Sequence, residues 1–465
     1  MRNQKWLIPL IVVALLAAII LPIVFSSYSR IKEADNAYKA KNYKTAEYLY
    51  KSAAQFLPWR GDLLEKAGIS AGAGGDYSEA INLLLKVPHL TQQGWATLGL
   101  CYFNTGKLDL SLKAYRNGLD NYGPSTSLYS GIALVYRVQN DWTDERIALE
   151  EQVSLDAGDV QAHYRLGLLL TVLDSEKAIT ELMLASSLDP QFDPAVQTLR
   201  TALNLSATQP DSSQQMVTIG RALGLVNEWV LAESAFEKAI SLHAENAEAW
   251  AWLGEAKQQL GQDGRAELDK ALMLDGQSVI VHALRGLYWN RQKKYSQALA
   301  EYVLAAAVEP ENPAWQASKG DAYTKLGDLV SALTAYQHAT ALAPNEATYW
   351  RLLAVFCAEN GVHVEDVGLP AAQKAVELAP DDITVLDALG QSYLSSGRPF
   401  TAEKTFLDVI KRAPDFVPAH LHLAMTYLFQ ANRADAYNEL VYVRNADPSG
   451  DTGKLAEQLL KQYFP

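Results

Sequence analysis

Apolar residues recur three and four positions apart along most of the chain, the spacing that lines one face of an α-helix. Between residues 313 and 344, Ala322, Tyr323 and Leu326 share one stripe. Leu329, Ala332, Leu333, Tyr336 and Ala339 share a second. Between the two lies "LGD", whose Gly327 suits the left-handed backbone that ends a helix. Pro344 stops the second helix, because proline lacks an amide hydrogen and its ring collides with the preceding turn. The pattern predicts a helical hairpin. One hairpin cannot bury both of its faces, so it must stack on another.

The hairpin recurs. Pro310, Pro344, Pro380, Pro414 and Pro448 are spaced 34, 36, 34 and 34 apart and close the phrases "AAAVEP", "ATALAP", "AVELAP", "VIKRAP" and "VRNADP". Ala298, Ala332, Ala402 and Ala436 each stand twelve residues before one of these prolines. Gly286, Gly320, Gly390 and Ala424 stand twenty-four before the same four. Small residues at both places let paired helices approach closely.

On these residues the chain resembles the tetratricopeptide repeat family. The fullest copy, "PAWQASKGDAYTKLGDLVSALTAYQHATALAP", places Gly320, Tyr323, Gly327, Ala332, Tyr336, Ala339 and Pro344 where the family signature has small, aromatic and proline residues. A second copy supplies Gly286, Trp289, Tyr295, Ala298, Tyr302, Ala305 and Pro310. The resemblance implies an all-α fold, a right-handed α-solenoid of stacked helix-turn-helix repeats. Weaker copies end near Pro58, Pro88, Pro124, Ala157, Pro190, Ala244 and Gly276, which gives about twelve helix pairs. In "GISAGAGGDYSEA", residues 68–80, Gly68 takes the close-packing place, Gly75 the turn and Ala80 the place of Ala332. No strand precedes this stretch, so it is a turn and not a phosphate-binding loop. The additional Gly72 and Gly74 predict a frayed end to its first helix.

Two places break the period. The 190–244 interval holds about twenty surplus residues, with a helix-like "PAVQTLRTALNLS" and a polar "ATQPDSSQQ" that is expected to form a loop or hinge over 207–215. In "GVHVEDVGLP", 361–370, two inserted residues and Pro370 lengthen a turn and shorten the helix after it. The expected organisation is an N-terminal tail over 1–5, an apolar segment over 6–25, an irregular stack over 29–206, the loop over 207–215, a regular stack over 216–448 and a capping helix over 449–465. Lys454, Glu457, Gln458 and Lys461 would form the polar outer side of that cap.

Residues 6–25, "WLIPLIVVALLAAIILPIVF", carry no charge and as a helix span about 30 Å, the thickness of a bilayer's hydrocarbon core. They predict a single transmembrane signal-anchor helix, with Trp6 at the interface. The run exceeds the usual apolar core of a cleaved signal peptide, although Ser26, Ser27 and Ser29 would suit cleavage. Arg2 and Lys5 on the short side favour its staying in the cytoplasm, with the bulk of the chain outside.

Composition narrows the function. Of 465 residues 49% are hydrophobic, enough for a large core, and the net charge of −13 argues against nucleic-acid binding, which needs a basic face. Cys101 and Cys357 form no CxxC or Cys/His cluster, which excludes a zinc or disulfide framework. Neither hydrolase, kinase, metalloprotease nor nucleotide-binding motifs occur. His420 and His422, two apart on a helix, point to different faces and do not chelate together. The repeats leave no segment of domain size for a catalytic domain. No catalytic residue, metal or cofactor is therefore expected.

In the resembled family the first helix of each pair lines a concave groove, at repeat positions 2, 5, 9, 12 and 13. Carried over, these give Glu255, Gln258, Asn290, Arg291, Asp321, Lys325, Arg351, Asp387 and Gln391 as candidate partner-binding residues. The lysine–asparagine set that clamps a C-terminal carboxylate in some members is missing. The expectation is a non-catalytic, membrane-anchored scaffold or adaptor for other proteins or peptides, of open oligomeric state. The alternative is an accessory substrate- or glycan-binding subunit of an envelope-biogenesis, polymer-synthesis or secretion machine.

Overall fold

The computed structural model describes residues 25–465. The membrane helix expected over 6–25 lies outside the described residues, Phe25 excepted. Among the described residues no helix is long and apolar enough to cross a membrane, and no strand is present. The chain divides into two compact units. The first comprises the described residues through Pro210 together with Ala222–Leu231, and the second Asp211–Arg221 together with Ala232–Pro465.

The first unit stacks hairpins 25–39/Tyr43–Phe56, Gly61–Ala73/Tyr77–Leu84, Gln92–Asn104/Leu108–Tyr122, Thr126–Gln139/Trp142–Leu155 and Val160–Leu173/Ser175–Leu188. A helix without a hairpin partner, Asp193–Ala207, takes up the surplus between repeats. The boundary between units runs through the hairpin Ser212–Leu225/Trp229–Leu242. The second unit continues with Ala247–Gln259/Arg265–Leu274, Val279–Arg291/Tyr295–Val308, Pro313–Leu326/Leu329–Leu342, Ala347–Asn360/Leu369–Leu378, Ile383–Ser395/Pro399–Arg412 and Val417–Phe429/Arg433–Ala446. A last helix, Asp451–Tyr463, buries Ala456 and Leu460 against Leu440 and Val443 while Lys454, Gln458 and Lys461 face water. Full burial of a leucine contributes about 1.5–3 kcal/mol, which is the physical value of such a cap.

The small-residue register sets the packing. A Cβ on Gly320 would stand 2.9 Å from the Tyr336 ring of the paired helix. The same glycine-against-ring contact joins Gly99 to Tyr115, Gly220 to Phe236, Gly286 to Tyr302 and Gly390 to Phe406. Ala46, Ala80, Ala232, Ala298, Ala332, Ala402 and Ala436 are fully buried beside these contacts. At the turn, Gly327 has φ 80° and its amide donates to the Thr324 carbonyl, while the Asp328 amide donates to Tyr323. Asp328 then caps the next helix through the Ser331 amide at 3.1 Å. The "LGD" phrase thus ends one helix and begins another.

A ring near the start of the first helix ties successive hairpins together. Trp250 and Trp350 donate Nε1–H to the carbonyls of Ala244 and Pro344, both at 2.9 Å. His163, His282 and His420 hold the same place, with Nε2 at 3.2, 3.1 and 2.9 Å from the carbonyls of Ala157, Gly276 and Pro414. Their Nδ1 atoms lie 2.6–2.7 Å from Glu181, Glu301 and Glu439 on the paired helices.

Two local expectations change and a third gains detail. The helix Gly61–Ala73 does not fray at Gly72. That glycine is buried, and a Cβ there would stand 2.9 Å from Thr97 and 3.1 Å from Cys101 of the next hairpin, so it serves close packing. The connection expected over 207–215 is only 208–211. Ala207 ends one helix, and Ser212 begins the next with Asp211 accepting from the Ser213 amide at 2.9 Å. Over 361–370 the inserted residues form a π-helical turn, Val364–Gly368, entered through left-handed Gly361 and His363, and the helix after it has ten residues.

Candidate interaction face

The candidate residues lie on the first helices of the second unit's hairpins, where Glu255 and Asp387 are buried. In the second unit these residues largely satisfy one another. Arg291 donates through both terminal nitrogens to buried Glu255 at 2.7 Å, and to Gln258 at 3.3 Å. Asn290 donates to Asp321 at 3.3 Å in the following hairpin. These pairs join residues 31 to 36 apart in sequence, one repeat to the next. Lys325 is exposed and Arg351 half-buried, and neither makes an ion pair among the described residues.

Asp387 and Gln391 belong to a different cluster. Asp387 is buried and accepts from Gln391 Nε2 at 2.9 Å and from His422 Nδ1 at 2.9 Å. Beside this cluster opens a cleft of about 340 Å³ lined by Ala358, Glu359, Gln391, Leu394, Ser395, Leu421, His422, Met425 and Leu455. It crosses the first helices of three successive hairpins and reaches the terminal helix. The Ser395 hydroxyl donates to the Ala358 carbonyl at 3.0 Å and fixes the wall between two of those hairpins. His420, two residues from His422, packs instead against Glu439, so the two histidines do occupy different sites.

The first unit has a cleft that crosses the first helices of two successive hairpins. It measures about 480 Å³ and is lined by Gln92, Gln93, Ala96, Thr97, Leu100, Tyr115, Ser127, Ser130, Gly131 and Leu134. Its floor is Tyr115, whose ring is held between Gly99 and Gly131, at neither of which a Cβ would fit. Leu100 and Leu134 remain about 40% exposed at its mouth, at 42% and 36%. Nothing in residue type marks this cleft. Small residues on the outer face of a helix look like ordinary surface until two helices are set side by side. Glu359, His422, Met425 and Leu455 were missed for the same reason.

Burial pushes the thiols of Cys101 and Cys357 up to about 11, which keeps both protonated and unreactive at neutral pH. Among the described residues no group of three or more His, Cys, Asp or Glu side chains is placed to hold a metal ion.

The tetratricopeptide repeat family model matches residues 285–347 and 317–383. Superkiller complex protein 3 of Mus musculus is 22% identical over 381 residues, a stretch covering 76% of this chain and 22% of the mouse protein. The chain thus spans about a fifth of the length of the curated relatives it matches. Among solved structures, yeast Tom70 is 14% identical with a TM-score of 0.42, covering 80% of this chain and 95% of its own. A tetratricopeptide repeat protein from Parabacteroides merdae is 15% identical with a TM-score of 0.45, covering 54% of this chain and 98% of its own. The family match spans residues 285–383, and hairpins outside it carry the same glycine-against-ring contact at Gly99, Gly220 and Gly390.

Proposed function

We propose that the chain is a non-catalytic adaptor that holds protein or peptide partners along the face of its first helices, tethered to a membrane through residues 6–25 with its bulk outside the cytoplasm. Tetratricopeptide repeats are protein-binding modules, and the observation that carries the proposal is a cleft along the first helices in each unit. In both, apolar side chains that the hairpin core does not use stay open to solvent: Leu100 and Leu134 in one, Met425 and Leu455 in the other. The mouse relative is by its name a component of a complex, which agrees with a role in holding proteins together. The tether rests on the uncharged sequence of 6–25 alone.

The test is crosslinking and mass spectrometry of partners from the membrane fraction, comparing the native chain with Leu100→Glu/Leu134→Glu and Met425→Glu/Leu455→Glu. The expected result is loss of crosslinked partners in at least one double variant whose circular dichroism melt is unchanged, with the chain resisting a high-salt wash of the membranes. Retention of every partner in both would sink the interaction face, and release by salt would sink the tether.

A further inference from the structure

The two clefts differ in charge, and the difference identifies a partner. The cleft at the C-terminal end holds Glu359, which is exposed and without an ion-pair partner among the described residues, and lies beside the buried carboxylate of Asp387. No lysine or arginine lines it. His422 adds a further acceptor. A carboxylate oxygen only accepts, so the 2.9 Å contact with Asp387 makes Nδ1 the donating nitrogen. In the neutral ring that leaves Nε2 with its lone pair, and no protein donor reaches it among the described residues. Gln391 commits its amide nitrogen to Asp387, which leaves its carbonyl oxygen as the free end. The polar side of the cleft therefore offers acceptors and negative charge. The remaining lining is Ala358, Ser395 and an apolar strip of Leu394, Leu421, Met425 and Leu455, which includes a methionine able to repack around different side chains.

We infer that this cleft docks a protein segment carrying a lysine or arginine between apolar side chains, the cation meeting Glu359, Gln391 and His422 and the apolar residues covering Leu421, Met425 and Leu455. The inference rests on the reading that this face binds protein segments, and it adds the chemistry of what is bound. Charge complementarity supplies the selection, since an acidic segment would bring like charges together in a partly desolvated cleft. The apolar strip distinguishes a protein segment from a free polyamine, which would leave that strip exposed to water.

The experiment titrates the whole chain, in detergent, with two short probe peptides, one alternating leucine with lysine and one alternating leucine with glutamate, and with spermidine. The readouts are fluorescence anisotropy and the ¹³C methyl signal of Met425. The leucine–lysine probe is expected to bind and shift Met425. Glu359→Gln, a surface change that leaves packing intact, is expected to weaken that binding roughly 3- to 10-fold, and added salt to weaken it in the native chain more than in the variant. The leucine–glutamate probe is expected to bind at least roughly tenfold more weakly. Equal binding of both peptides, or binding unchanged by Glu359→Gln, overturns the basic-segment assignment while leaving a peptide-binding face in place. Spermidine binding as tightly as the leucine–lysine probe overturns the assignment to protein. If neither peptide moves Met425, the inference falls; if Leu100 and Leu134 methyl signals also stay fixed, the reading of the face as a peptide site falls with it.

Discussion

The cleft of the first unit and the cleft of the second are built from the same kind of hairpin and do not offer the same chemistry. Gln92 to Leu134 line a neutral trough of small and apolar side chains over Tyr115, whereas Ala358 to Leu455 line an apolar strip edged with acceptors. Each unit carries the same glycine-against-ring contact, Gly99 with Tyr115 in the first and Gly390 with Phe406 in the second. The difference shows which positions the fold constrains. The glycine, the alanine of the second helix and the ring below them must fit each other within a van der Waals radius. The face positions meet no such demand, so they diverge without disturbing the stack. Between the two clefts along the second unit, the Glu255–Arg291 and Asn290–Asp321 pairs show a third use of the same positions, in which charges satisfy each other.

If the scaffold is common to both units, overpacking should injure them alike. Gly99→Leu in the first and Gly390→Leu in the second each force a side chain into a ring of the paired helix, and each should cost about 1–3 kcal/mol or more. Urea unfolding followed by circular dichroism measures both. Tolerance of either would show that its unit does not depend on the shared contact, and the comparison would fail.

A smaller effect separates self-satisfied charges from available ones. Arg291→Ala leaves buried Glu255 without its bidentate partner and should destabilise by roughly 1–3 kcal/mol, discounted because the arginine itself is about one-third exposed. Asp321→Ala removes only a 3.3 Å contact from Asn290 and should change stability by less than about 0.5 kcal/mol. Similar melting shifts for the two would mean that the Glu255–Arg291 pair is no more than surface charge.

The smallest expected difference is in pH dependence. In the first unit Tyr50, donating at 2.5 Å, together with Lys66, holds the Asp35 carboxyl below its ordinary value, and Lys51 does the same for Glu79. A depressed carboxyl stabilises the fold above its unfolded pKa of about 4, and that contribution is lost as pH falls through the folded value. In the second unit burial, with Glu237 nearby, raises Glu233. A raised carboxyl acts in the opposite sense: it weakens the fold above its folded pKa and is relieved as pH falls through it. At neutral pH, Asp35→Asn should therefore lower the melting temperature and Glu233→Gln should raise it slightly, with both differences shrinking below pH 4. Thermal melts at pH 7 and pH 3.5 check the signs, and two shifts in the same direction would contradict this assignment.

Much of the hairpin architecture was legible because its determinants are local or lie one helix apart. Gly320, Gly327, Ala332 and Pro344 each announce a close contact, a turn or a stop by residue type, and the fold uses them so. Gly72 was legible as an odd glycine but not as a contact, since its neighbours Thr97 and Cys101 belong to the next hairpin. The polar run 207–215 suggested a longer loop than 208–211, because serine and aspartate serve a helix start as readily as a loop. Of the nine candidate face residues, Glu255, Gln258, Asn290, Arg291 and Asp321 turned out to be engaged with one another, and Gln391 to line a cleft.

The sequence by itself determined that this chain is a run of helical hairpins with a common period, because proline, glycine and apolar spacing act within a few residues of where they stand. It determined likewise that residues 6–25 are long and apolar enough to span a bilayer. Only the tertiary structure decided that Arg291 is held by Glu255, that Tyr115 lies between Gly99 and Gly131, and that Glu359, His422 and Met425 share a cleft with Leu455. Those partners sit up to about three repeats apart, and a repeat period fixes which positions face outward without fixing what stands across from them. That depends on the spacing and rotation of one hairpin against the next, which packing of the whole stack sets.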